Sequence, residues 1–302
     1  MRLLFRGPRY GSVLYGGTAW DCASTIHRMT STGSHHGTTT ISPSGHPNGN
    51  RLVAIADVHG DYDRLVEALV KTRLIDDRQR WAAGRSTLVQ TGDLIDRGEQ
   101  DKEVLDFFMR LQDEAKAAGG RVVNLFGNHE LMVAEGDLRY QSPVSRRKFA
   151  KGDFDIEHGK YGKWIWSTFL PAYIERKVLF VHGFLHPRWL NNGFDALIAS
   201  AKNKGGALDS LVWTRPTEMR GDEVAALVTQ SLQNTNCDYM IVGHCPHHDV
   251  KYMADGRLIL LDTAWSRWMG GNPAAVAEVT DGHGQKDAKP SITVMKTAAA
   301  KR

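Results

Sequence analysis

Three times in the first globular stretch, a short apolar run breaks off into a polar cluster and a helical pattern follows it. Leu52 to Ala56 runs into Asp57-Val58-His59-Gly60-Asp61, Ser86 to Thr91 into Gly92-Asp93-Leu94-Ile95-Asp96-Arg97-Gly98, and Arg121 to Phe126 into Gly127-Asn128-His129-Glu130. Leu65, Leu69 and Val70 mark the first helix, and Val104, Leu105, Phe108 and Leu111 mark a second that ends near Gly119-Gly120. Strand–loop–helix units in series can join side by side only through crossovers, so they predict a largely parallel sheet. Ligands of such sheets collect at the carboxyl ends of the strands, where all three polar clusters lie.

Two more apolar runs end the same way. Lys177 to Val181 leads into His182-Gly183, and Tyr239 to Val242 into Gly243-His244. Helical segments are expected around Asp195 to Lys202 and Glu223 to Leu232. Leu258 to Leu261, Ala274 to Val279 and Ile292 to Met295 read as strands between Gly and Pro turns. With Tyr239 to Val242 they suggest a second sheet packed on the first, an α/β (α+β) arrangement. Leu131 to Leu170 is irregular, polar and aromatic, and reads as a lid-like insertion.

The 302 residues suit one large domain with insertions, and a hydrophobic share of 41% is enough for a real core. We place the domain at residues 51–296. Residues 1–50, rich in Ser, Thr, Gly and His and carrying Arg2, Arg6, Arg9 and Arg28, read as a poorly ordered extension or a transit peptide. Residues 297–302 read as a tail. Cys22, Cys237 and Cys245 form no CxxC pair, so a disulfide framework and a zinc ribbon are not expected. A soluble protein of a reducing compartment, cytoplasmic or organellar, is the expectation. No apolar run reaches the roughly 18 residues of a membrane span. The net charge of +4 comes from dispersed basic residues, which argues against a nucleic-acid partner.

The five clusters supply the donors of a dinuclear metal site. Phosphate ester hydrolysis is accelerated by enzymes up to about 10²¹-fold, while one histidine base contributes about 10²- to 10⁴-fold. Two cations roughly 3.5–4 Å apart do more, and one carboxylate must bridge them. Asp93, opening the central loop, is the expected bridge. Asp57 and His59 would face one ion, and Asn128, His182 and His244 the other. Mixed carboxylate, amide and imidazole ligation points to Mn, Fe or Zn. His129 is placed to protonate a leaving oxygen, with Asp96 holding its tautomer. Arg97 suits bidentate phosphate binding, and Arg215, after Trp213-Thr214, is a second phosphate candidate or a surface arginine.

In combination these motifs resemble the metallo-dependent phosphoprotein phosphatases, with GDxHG, GDxxDRG, GNHE, histidine-glycine and glycine-histidine in order. The stretch from Leu52 to Tyr140 looks especially similar to the Shewanella-like branch, notably around Ser86 to Thr91 and Gly136 to Tyr140. Looser similarity continues through Leu211 to Arg215 and on to about Gly271. The resemblance implies a calcineurin-like fold, a central β-sandwich flanked by helices. It also implies a metal-bridging hydroxide as nucleophile, His129 as acid and Arg97 on phosphate. A phosphoprotein or phosphopeptide would be the substrate, phosphorylated on serine, threonine or tyrosine. Two positions depart from the family: Ala56 stands where glycine is usual, and Phe184 where a second glycine is common. Phe184 is expected to crowd the metal rim or to stack on an aromatic substrate.

Weaker signals divide differently. His129-Glu130 begins like a zincin motif, but Val133 stands where a histidine is needed, which rejects a metalloprotease. Arg146, Arg147, Lys148 and Lys151 read as a solvated face or an attractor of acidic phosphopeptides. Trp164, Trp166, Trp265 and Trp268 read as packing residues. A dinucleoside polyphosphate or other small-molecule phosphohydrolase is the alternative enzyme, and an inactive metal-stabilised binding module the alternative of another class.

Overall fold

In a computed structural model, residues 50–201, 206–281 and 289–300 are described. The expectations for residues 1–49, and for the last two residues of the tail, lie outside them.

The first strand, β1 (Leu52–Ile55), is buried on both faces. Its alternation sends Leu52 and Ala54 to one side and Val53 and Ile55 to the other. Helix α1 (Tyr62–Lys71), capped by the Asp61 carboxylate on the Arg64 N–H, lays Leu65 and Leu69 against the second face. β2 (Thr87–Gln90) pairs parallel to β1, with Ala54 opposite Val89. α2 (Asp101–Ala117) ends before Gly119-Gly120 as expected, and β3 (Arg121–Asn124) pairs parallel to β2.

The insertion is more regular than its sequence suggested. It holds most of α3 (Asn128–Ala134), which begins inside the third motif, then α4 (Pro143–Arg146) and α5 (Lys160–Thr168). Ser142 caps α4 through its side chain, and Pro143 opens it with no N–H to lose. Phe149, Phe154 and Tyr161 pack as an aromatic cluster beneath it.

The second half builds another sheet from β4 (Ala172–Glu175) and β5 (Val178–Val181), then, after α6 (Phe194–Ala201), α7 (Gly206–Trp213) and α8 (Gly221–Thr235), from β6 (Tyr239–Val242), β7 (Lys251–Met253) and β8 (Leu258–Leu260). Its order is β4-β5-β6-β8-β7, with β5, β6 and β8 parallel. The last strands, β9 (Ala275–Thr280) and β10 (Ser291–Lys296), leave this sheet and join the first, giving β10-β9-β1-β2-β3. The expectation that Ala274 to Val279 and Ile292 to Met295 belong to the second sheet is therefore corrected. β9 runs antiparallel to β1 with Ala277 opposite Ala54, so its small residues complete the inner face of the first sheet.

That inner face meets the second sheet. Leu52, Ala54, Val89, Val123, Ala277 and Val279 form one buried layer with Val178, Phe180, Ile241 and Ile259. Their partners at alternate positions, such as Val53, Leu88, Leu179 and Val242, pack outward on the helices. Two sheets, back to back with helices outside, make the expected sandwich. Truncating the fully buried Phe180 would cost about 3–5 kcal/mol. The tail is tied down as far as it is described: the Ala300 N–H donates to the Gly271 carbonyl at 2.8 Å. No helix among the described residues is long and apolar enough to cross a membrane.

Candidate active site

All five motifs open at the carboxyl ends of β1, β2, β3, β5 and β6. Their residues turn sharply: His59, Asp93, Asp96, Arg97 and His244 all have positive φ, between 48° and 71°. Such conformations cost non-glycine residues about 1–3 kcal/mol each and persist where surrounding contacts enforce them. The glycines that precede two donors are needed for close approach. A Cβ on Gly127 would collide with Asp93 Oδ1, and one on Gly243 with Asp57 Oδ1.

Asp93 lies at the centre. Its Oδ2 is 3.8 Å from His59 Nε2 and 3.8 Å from His129 Nε2, and its Oδ1 is 3.4 Å from His182 Nε2. Two donor groups share it: His59, Asp93 and His129, and Asp93, His182 and His244, each with ligand atoms within 4.8 Å of one another. Asn128 Oδ1 lies 3.1 Å from His182 Nε2. Asp57 Oδ2 is 3.8 Å from His59 Nε2, and its carboxylate accepts the His244 N–H at 3.1 and 3.2 Å, tying β1 to β6. The expected ligand residues are thus brought together, with His129 closer to the first group than a separate acid requires.

The ring orientations carry chemical information. His182 Nδ1 lies 2.8 Å from the Thr91 carbonyl and His59 Nδ1 lies 3.2 Å from the Ile95 carbonyl. Each nitrogen must carry a proton to donate there, which in the neutral ring leaves Nε2 as a lone pair. Both lone pairs then face oxygens of Asp93, Asp57 or Asn128, an arrangement that repels itself and that a cation resolves. His244 Nε2 is buried with no hydrogen-bond partner. Burial pushes His59 down to about 3 and, with His182 and Arg215, His244 to about 2, so both stay neutral. Burial, then the carboxylates of Asp262 and Asp93, holds Asp57 well above the usual carboxylate range. Burial opposes the charge on Asp93, yet His182 and His129 hold it well below that range. Neutral imidazoles, an ionised central carboxylate and crowded anionic neighbours fit divalent metal ions.

His129 Nδ1 is 2.7 Å from Asp96 Oδ2. Arg97 lies alongside: its N–H donates to the Tyr140 carbonyl at 2.9 Å, and its guanidinium carbon sits 3.9 Å above the Tyr140 ring. Arg215 reaches the rim, where Nη1 donates to the His244 carbonyl at 2.5 Å and Nε is 3.8 Å from Glu218. It therefore braces the backbone at His244.

Three residues carry weight that sequence reasoning left unassigned. Glu130 accepts the N–H groups of Asp93, Leu94 and Gly127 at 2.9, 2.7 and 2.9 Å. Asp262, just past β8, is buried, and burial raises it to about 6. Its strand-end position, like that of the other donors, was the available signal. Tyr140 had no signal beyond its place in the family-like stretch. Phe184 is fully buried in the outer core, which corrects the expectation that it stacks on a substrate. Trp265 is buried as expected of a packing residue, whereas Trp268 is 37% exposed, under the Arg267 guanidinium. Lys148 pairs with Glu103 at 2.5 Å, while Arg147 and Lys151 are exposed.

Residues 50–247 match the calcineurin-like phosphoesterase family. Shewanella-like protein phosphatase 1 of Plasmodium berghei is 27% identical over 245 residues, covering 72% of this chain and 67% of that protein. Shewanella-like protein phosphatase 2 of Arabidopsis thaliana is 43% identical over 99 residues, which span 33% of this chain and a quarter (25%) of that protein's length. Among solved structures, a cold-active protein-tyrosine phosphatase of a psychrophilic Shewanella superposes with a TM-score of 0.66 at 28% identity, covering 76% of this chain and 75% of that one. A strand-end donor cluster centred on one carboxylate, and a family match over most of the chain, lead to one conclusion: this chain belongs to the calcineurin-like phosphoesterase family and hydrolyses phosphoesters.

Proposed function

We propose that the chain is a phosphoprotein phosphatase that works with two divalent ions, Mn, Fe or Zn, held by Asp57, His59, Asp93, Asn128, His182 and His244. The observation that carries this reading is the convergence of imidazole lone pairs on Asp93 beside the His129–Asp96 pair and Arg97. When bound, such ions supply Lewis acidity and a strong nucleophile drawn from water at neutral pH. The chain's own residues do the rest. Arg97 binds and orients the phosphate oxygens. Asp96 accepts the Nδ1–H of His129 and stabilises its imidazolium, whose Nε2–H faces the reacting centre and delivers its proton to the leaving oxygen, leaving a neutral ring protonated on Nδ1. Glu130 holds the Asp93 loop rigid. Arg215 steadies His244 and adds positive charge at the rim.

The protein phosphatases among the relatives favour a phosphoprotein or phosphopeptide substrate. The bis(5'-nucleosyl)-tetraphosphatase relatives match a smaller part, 30% identical over 138 residues and 45% of the chain in Klebsiella pneumoniae. Cys237 and Cys245 are buried free thiols, which fits an intracellular setting. The test is hydrolysis of phosphoserine, phosphothreonine and phosphotyrosine peptides and of diadenosine tetraphosphate by metal-stripped protein reloaded with Mn²⁺. Faster cleavage of the phosphopeptides supports the proposal. Faster cleavage of the dinucleotide replaces it with the small-molecule hydrolase, and no metal-restored turnover of either points to a binding module.

A further inference from the structure

Arg97 is held in an unusual way. An arginine that must meet a phosphate in one orientation is commonly steadied by a carboxylate, but a carboxylate would compete with the phosphate for the same N–H groups. Among the described residues the Arg97 guanidinium makes no ion pair and no hydrogen bond, and its Nε is buried without a partner. The guanidinium instead lies over an aromatic ring, that of Tyr140, whose centroid is 3.9 Å from the guanidinium carbon. An aromatic face attracts the cation and fixes its plane without occupying its donors. The half-buried Tyr140 ring also lies 5.2 Å from the His129 ring, centroid to centroid.

The segment that carries Tyr140 is fastened to the same loop at two points and to itself at a third. The Tyr140 carbonyl accepts the Arg97 N–H at 2.9 Å. Ser145, in α4, donates its hydroxyl to Asp101 Oδ2 at 2.7 Å, and Asp101 Oδ1 accepts the Asp96 N–H at 3.0 Å. Arg146 Nη2 donates to the Leu138 carbonyl at 2.5 Å, closing the segment on itself. Residues 138–146 therefore hold Asp96, through Asp101, and Arg97 directly. Both have positive φ, 71° and 70°, which the chain would not keep unaided.

We propose that Tyr140 is a positioning residue for the phosphate-binding Arg97, and that the Leu138–Arg146 part of the insertion exists to present it. The ring presets the guanidinium plane, so that phosphate meets a ready fork and spends little binding energy in ordering it. This inference rests on the reading of Arg97 as the phosphate contact.

The experiment compares the 302-residue chain with Y140F, Y140L, R97A and the R97A/Y140L double variant, all loaded with Mn²⁺. It measures kcat/KM on an aryl phosphate and inhibition by inorganic phosphate, with melting temperature and metal content beside them. Y140F keeps the ring and should stay within about 2-fold of the parent. Y140L should lose roughly 3- to 30-fold in kcat/KM and weaken phosphate inhibition by a similar factor, with unchanged metal content. In the R97A background the same leucine substitution should cost nothing further. Equal losses in Y140F and Y140L, or a Y140L loss undiminished without Arg97, would overturn the role of Tyr140 alone. An R97A protein as active as its parent would remove the phosphate contact itself, and this inference with it.

Discussion

One carboxylate oxygen of Glu130 accepts the Asp93 N–H at 2.9 Å, so a residue of the third motif holds the central carboxylate of the second. The same oxygen takes the Gly127 N–H, and the other takes Leu94. Three buried backbone donors thus converge on one side chain, which compensates the cost of burying it. Burial and the neighbouring Asp93 still push Glu130 up to about 7.

Glu130→Gln leaves one of those N–H groups facing an amide NH₂. A buried unpaired donor costs about 1–3 kcal/mol, so the variant should melt several degrees lower than the parent and lose activity by misplacing Asp93. Thermal unfolding with metal present checks this. An unchanged melting temperature would mean that the three hydrogen bonds do not hold the loop.

Asp93 is shared by both donor groups, so Asp93→Asn should disturb metal binding at both together. Metal analysis after reloading should show the variant retaining far less than the parent. Mn²⁺ at about 100 times its dissociation constant should stabilise the parent by roughly 2.7 kcal/mol and the variant by much less. Equal stabilisation of both would place the ions elsewhere.

His129→Asn should lower kcat by about 10²- to 10⁴-fold while metal content stays near that of the parent. Burial lowers the affinity of His129 for its proton, but Asp93 and Asp96 outweigh it and hold the imidazole above its usual value. Removing the Asp96 charge therefore lowers it. In Asp96→Asn the alkaline limb of the kcat profile should move to lower pH, and a limb that stays in place would separate Asp96 from the acid.

Asp101 is fully buried, and burial raises it from 3.8 to about 7. Folding thus favours its protonated form. The stability this contributes is fully present below the unfolded value, declines above it, and is lost as pH rises through about 7. Asp101→Asn keeps an acceptor for the Asp96 N–H and carries no charge. Relative to the parent it should gain roughly 2–4 kcal/mol between pH 5 and pH 8, read by denaturant titration at both. A constant difference between the two would show that Asp101 ionises freely in the fold.

The donors were legible because each stands directly after a strand. Strand recognition needs only apolar runs and turn residues, and a parallel sheet leaves one end for ligands. Tyr140, Asp262 and the grip of Ser145 on Asp101 were not legible. Their partners lie 43, 205 and 44 positions away in Arg97, Asp57 and Asp101, and no local pattern encodes such distances. The strands β9 and β10 show the same limit: Ala275, Ala277 and Val279 alternate as any half-buried strand does, and alternation names a face, not a neighbour.

What the amino-acid order determined by itself was periodicity, the strand ends and the kind of donor placed at each, because these depend on residues within a few positions. Which sheet received the last strands was decided only when β9 paired with β1, setting its small residue Ala277 beside Ala54 in the same sheet. Whether Phe184 faced core or solvent, and which ring would steady Arg97, were decided the same way. Close packing admits one arrangement of such partners, and it is set by contacts between residues distant in the chain.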